Sequence, residues 1–137
     1  MSVLALTPES QRIAGVMLLT IVTIESGGWF LTRVATGKVP LTEFQKGFAR
    51  AGHAHAATLV TLGLLTLLFA DAAQLSGAAG WVGRLGVPLA AVLMPAGFFF
   101  SSMGQDRVRP NRLMSLVWVG AVCLAAGVVT VGVGLLV

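Results

Sequence analysis

The chain has 137 residues, of which 56% are hydrophobic and only 10% charged, with a mean hydropathy of +0.90. So few charges cannot clothe a water-exposed surface, which excludes an ordinary soluble domain. The net charge of +4 is gathered in short segments between apolar runs, which excludes a basic nucleic-acid-binding face.

Thr7-Pro8-Glu9-Ser10 has helix-start chemistry, with Thr7 as cap and Pro8 at the first helical position. Arg12 then precedes an apolar span over about 13–32. No small-residue cleavage site follows it, so a cleaved signal peptide is not expected. Glu25 lies inside this span, where an ionised carboxylate costs several kcal/mol unless neutralised, paired or hydrated.

The first loop carries Arg33, Lys38, Lys46 and Arg50. Thr42 with Phe44 and Phe48 predicts a short amphipathic interfacial helix, Lys46 and Arg50 facing headgroups; the alternative is a plain connecting loop. The second span, about 54–73, opens on His53 and His55 and approaches its far end at Asp71. Gly52 marks a place where that helix could start irregularly. The third span, about 81–103, holds Pro88, Pro95, the run Phe98-Phe99-Phe100, then Ser101 and Ser102, with Gln105 beyond. Arg84 is expected to reach the outer interface beside Trp81, within reach of Asp71. After Arg107, Arg109 and Arg112 the fourth span runs over about 113–137. It repeats small residues at Gly120, Cys123, Gly127, Thr130 and Gly134, a stripe suited to an oligomer interface or to seating the helix in its own bundle. Cys123, the single cysteine, excludes an internal disulfide and reads as an inert buried thiol.

Spans of about 20 residues match a hydrocarbon core of about 30 Å, and nothing alternates as barrel strands do. The expected fold is an all-α integral membrane four-helix bundle, residues 1–137 forming one transmembrane domain. Seven Lys and Arg residues lie in the first and third loops against Arg12 and Arg84 on the other side. This places both loops in the cytoplasm and both termini outside, and the expected location is the cytoplasmic membrane of a bacterium.

Depth groups the polar residues. Glu25 is eight residues from Arg33, about 12 Å inside the boundary, and His55 is five from Arg50, about 7 Å in. Ser101 and Ser102 reach a similar level, with Gln105 nearer the surface. A polar site of Glu25, His53, His55, Ser101, Ser102 and Gln105 in the cytoplasmic half is therefore expected. Three uses stay open: interhelical hydrogen bonding, ligation of a metal or haem by His53, His55 and Glu25, or a Glu–His pair that handles protons or substrate. Two histidines at i and i+2 point about 200° apart on a regular helix, which works against one shared ion. For haem, Met94 and Met103 are the candidate second ligands.

The run Arg50-Ala51-Gly52-His53-Ala54-His55, followed by apolar residues and Gly63, resembles the His-x-His openings of small bacterial membrane proteins related to haem-copper oxidase subunit I. That resemblance implies a haem ligand at His53 or His55; the larger oxidases' further histidines have no counterpart. In length, four-span topology and the Arg-Ala-x-x-Ala-His start of the second helix, the chain is also similar to the membrane-associated eicosanoid and glutathione metabolism family. Such similarity implies a trimer and transferase chemistry, although no Asn or Glu follows His55 in the second helix and the chain has no tyrosine. The functional expectation is a small membrane binding or accessory protein that holds a metal, haem, small ligand or partner subunit. The alternative is a membrane-embedded transferase or oxidoreductase using the same pocket. There is no phosphate-binding loop, nucleophile elbow or internal repeat.

Overall fold

A computed structural model describes residues 6–137, so the first five residues of the expected domain lie outside the described residues. Four helices alternate in direction: α1 (Pro8–Ala35), α2 (Glu43–Ala72), α3 (Gly77–Ser102) and α4 (Ser115–Leu136), the last preceded by a single 3-10 turn, Arg112–Met114. No strand occurs among the described residues. All four helices are long and apolar enough to cross a membrane. The start of α1, the end of α2, the start of α3 and the end of α4 share one end of the molecule, here the termini end. Both arginine-rich loops lie at the other, the basic end.

Local chemistry sets the helix starts. Thr7 accepts a hydrogen bond from the Ser10 N–H with Pro8 at the first position, as its sequence indicates. Thr42 and Gln45 form a reciprocal capping box that starts α2 at Glu43. This corrects the expected interfacial helix: residues 43–52 are the first turns of one continuous 30-residue helix. Gly52 does not interrupt it. The glycine is buried beneath Phe98 and Phe99, where an added Cβ would come within 3.0 Å of the Phe99 ring.

α2 and α3 form the middle, α4 packs on α3, and α1 leans on α2 while barely touching α3. The core gathers Met17, Leu59, Val60, Leu67, Ala90, Met94 and Val117. Between helices in lipid, apolar burial drives little, and close backbone approach through small residues matters more. The α3–α4 seam follows that rule. A Cβ on Gly86 would fall 2.6 Å from the Gly127 Cα and 2.7 Å from the Cys123 carbonyl oxygen. One on Gly97 would meet the Val117 backbone nitrogen at 2.7 Å. Along the small-residue stripe of α4, Gly120 receives Met94, Gly127 receives Gly86 and Gly134 receives Leu75. In this chain the stripe seats α4 in its own bundle.

Candidate functional site

Polar side chains concentrate at three levels. At the termini end, the Arg84 Nη2 donates to Asp71 Oδ1 at 2.7 Å and its Nε donates to the same oxygen at 3.0 Å. The remaining guanidinium contacts are Nε to the Ser10 hydroxyl at 3.1 Å and Nη1 to the Leu75 carbonyl at 3.1 Å. Asp71 Oδ2 accepts the Thr7 backbone N–H at 2.8 Å. Both side chains are nearly buried, 11% and 5% exposed for Arg84 and Asp71. Each charge meets its opposite together with neutral partners, as a buried pair requires. The expected Asp71–Arg84 pair is therefore present, and it ties α1 to α2 and α3. Trp81 stands exposed one turn before Arg84, but Arg84 does not reach outward beside it as expected, because its guanidinium is turned inward onto Asp71.

At the basic end, Gln45 is buried and its amide donates to the Ser102 carbonyl at 3.0 Å and the Gly104 carbonyl at 2.8 Å. The Thr42 hydroxyl donates to the Arg107 carbonyl, and the Asn111 amide donates to the Phe100 carbonyl at 2.9 Å. The bonds to Ser102 and Phe100 satisfy carbonyls that the end of α3 would otherwise leave open, and those to Gly104 and Arg107 fasten the loop that follows. Ser101 and Ser102 are buried but donate to the carbonyls of Phe98 and Phe99 on their own helix, at 3.3 and 3.0 Å. Gln105 is exposed in the following loop.

The imidazoles diverge, as a regular helix demands of positions i and i+2. His53 turns to α1 and lies against Gly27 and Gly28; a Cβ on Gly27 would sit 3.2 Å from its Nδ1. His55 turns to α3. Its Nδ1 hydrogen-bonds the Ala51 carbonyl at 2.7 Å, and its ring lies 4.9 Å from that of Phe98. Phe98 also meets Phe48 edge-on, so this member of the phenylalanine run packs inside the bundle.

Glu25 faces elsewhere. On α1, Leu18, Val22, Glu25 and Trp29 are spaced 4, 3 and 4, one narrow stripe of a 3.6-residue helix. Its apolar members are 54%, 69% and 64% exposed, and Glu25 is exposed among them. Glu25 makes no ion pair with any described residue, and the nearest cation along the stripe, Arg33, lies over the Trp29 ring at 4.9 Å. The expected site is thus corrected. His53 stands level with Gly27 and Gly28, close to Glu25 in depth, but the exposed carboxylate is carried round the helix on the Leu18–Trp29 stripe and makes no ion pair with the imidazole. Depth was legible; azimuth was not.

No described group of three or more His, Cys, Asp or Glu side chains could hold a metal ion. The set Glu25, His53 and His55 does not fit a shared metal, because each points at a different neighbour. Met94 is buried in the core with Leu59 and Val60, and Met103 lies exposed past the end of α3.

A further feature is a lateral groove of about 520 Å³ between α1 and α3. Its α1 wall runs from Arg12 through Met17 and Thr20 to Ile24, its floor is Ala56 and Val60 of α2, and its far wall is Leu85, Pro88 and Val92 of α3. Pro88, flagged by sequence as a place where a helix can open space, contributes directly. No protein-family model, curated protein or solved structure matches this chain.

Proposed function

We propose that the chain is an integral protein of a bacterial cytoplasmic membrane, with both termini outside and the basic loops in the cytoplasm. In this reading it is an accessory subunit that docks through α1 onto a different membrane protein. The observation that carries the reading is Glu25, unpaired on the bare stripe of α1 and flanked by exposed Leu18, Val22 and Trp29. A charged or polar group facing lipid is costly and marks a functional contact by default. The helices that would cover Glu25 must offer a donor: Lys, Arg, His, or an amide at the same depth.

A second copy of this chain is poorly suited to that role. All of its lysines and arginines lie toward the helix ends or in loops, and both imidazoles are turned to neighbours within the bundle. A two-fold arrangement about α1 would set one Glu25 against the other. A different chain with a cationic or amide side chain at mid-depth satisfies the carboxylate.

The test uses a hydrophobic carbodiimide, which partitions into lipid and modifies protonated carboxyl groups there. Labelling of Glu25 is read by mass spectrometry, once in native membranes and once in the purified protein reconstituted in phosphatidylcholine, with Glu25→Gln as the blank. Protection in native membranes and labelling after purification supports the reading. Equal labelling in both leaves no partner over Glu25 and defeats it. Protection that persists in the purified protein, with the mass of a dimer, replaces the different chain by a second copy.

A further inference from the structure

The lateral groove and the Glu25 stripe lie on opposite sides of α1, so what fills the groove is a question separate from docking. Two cations stand at the termini end beside it. Arg84 is fully engaged by Asp71, Ser10 and Leu75. Arg12 lines the groove, is exposed, and makes no ion pair with any described residue. From Arg12 to Ile24 the α1 wall covers thirteen residues, twelve rises or about 18 Å of helix. That is close to half of a hydrocarbon core of about 30 Å, the depth of one leaflet. Along this length the wall is apolar except for Thr20 and Thr23, and the Thr20 hydroxyl is turned onto the Met17 carbonyl.

A cation at the interface with an apolar trough one leaflet deep beneath it is the shape of a phospholipid's phosphate and one acyl chain. We propose that the groove is a binding site for an anionic phospholipid, its phosphate held by Arg12 and one chain lying between α1 and α3 over Ala56 and Val60. The narrow contact between α1 and α3 is what leaves room for the chain. Arg12 supplies preference for net negative headgroups: Glu9, one turn before it on α1, forms no ion pair with it and leaves its guanidinium available. The groove walls supply residence, because a chain seated there is withdrawn from exchange with bulk lipid.

The experiment is native mass spectrometry of the full chain, released from bilayers holding equal parts of phosphatidylglycerol and phosphatidylcholine with matched chains. Wild type is expected to retain one phosphatidylglycerol in preference to phosphatidylcholine. Arg12→Gln should cut that preference about fivefold, the scale of one basic residue at an anionic membrane surface. Val92→Trp fills the groove from its exposed α3 wall, where folding is least at risk, and should abolish retention of either lipid while leaving thermal stability intact. Ala56→Leu, filling the floor, is the second groove variant and should act in the same direction. The proposal is overturned by equal retention of the two lipids in wild type, by an Arg12→Gln protein with unchanged preference, or by groove variants that hold lipid as before. It is also overturned if glycerol 3-phosphate, which has the phosphate and no chain, displaces the lipid at comparable concentration.

Discussion

The two sides of this bundle are held by opposite means. On the α3–α4 side, backbones touch at Gly86 and Gly127, with no polar side chain bridging the seam. On the α1 side, the helix is anchored at its first turns by Thr7 and Ser10 on the Asp71–Arg84 pair, and farther along it rests on His53 through Gly27 and Gly28. Between those anchors it stands off from α3 and leaves the groove. A packed glycine seam fixes position everywhere along its length. Separate anchors at the first turns and at Gly27 and Gly28 fix α1 at points rather than along a seam, and they leave its outward stripe, where Glu25 is found, free to meet lipid or another protein.

The largest expected effect breaks the anchor. Asp71→Ala would leave Arg84 nearly buried without its carboxylate, and removal of one partner of a buried pair costs about 3–5 kcal/mol. Thermal unfolding in detergent should show it as the strongest single loss in the molecule. Replacing both, Asp71→Leu with Arg84→Met, should recover most of that stability, since a well-packed apolar pair avoids desolvating two charges. If the single variant unfolds at the wild-type temperature, the anchor does not hold α1.

The seam comes next, and one substitution type compares the two sides. Gly86→Ala forces a methyl against the Gly127 and Cys123 backbone at 2.6–2.8 Å, where no flexible side chain can yield, and overpacking of this kind costs about 1–3 kcal/mol. Gly28→Ala should do the reverse. Its methyl would meet the His53 ring at 3.5 Å, an ordinary contact, so the gain in helix propensity of about 0.8–1 kcal/mol is kept. Unfolding temperatures that fall for Gly86→Ala and rise for Gly28→Ala confirm the contrast. A fall in both would mean that α1 is packed as tightly as α4.

Much of this architecture is written in residue order. The four helices follow from apolar runs of sufficient length, the Thr7 cap from its Pro8 neighbour, and the Asp71–Arg84 pair from two charges stranded inside apolar ends on either side of one short turn. The start of α2 was legible too, because Thr42-x-x-Gln45 is a capping-box spacing, but the basic residues after it pointed to a separate surface helix. Azimuth was the missing quantity. Glu25 and His53 occur at matching depths, and hydropathy cannot say which side of a wholly apolar helix faces inward, because lipid and core are equally apolar. The small-residue stripe of α4 had the same ambiguity. Its partner is α3, where buried Gly83, Gly86, Ala90 and Gly97 repeat at spacings of 3, 4 and 7, a second small-residue stripe that was open to reading and was passed over in favour of the two prolines.

The smallest stability effect belongs to Glu25, and its smallness is informative. In the isolated protein this side chain is exposed and has no ion-pair partner among the described residues, so Glu25→Leu removes no internal bond. Its unfolding temperature in detergent should stay at or slightly above that of wild type. If the carboxylate instead reached His53 as interhelical glue, the same change would cost about 1.5–3 kcal/mol, the scale of a lost hydrogen bond to a charged group. In cells the expectation reverses, because a docking subunit that cannot engage its partner loses the stabilisation that binding gives to the folded state. Glu25→Leu should then fall in steady-state abundance while its purified form remains as stable as before, whereas Gly86→Ala should lose both together. Equal abundance for Glu25→Leu and wild type would argue that α1 meets only lipid.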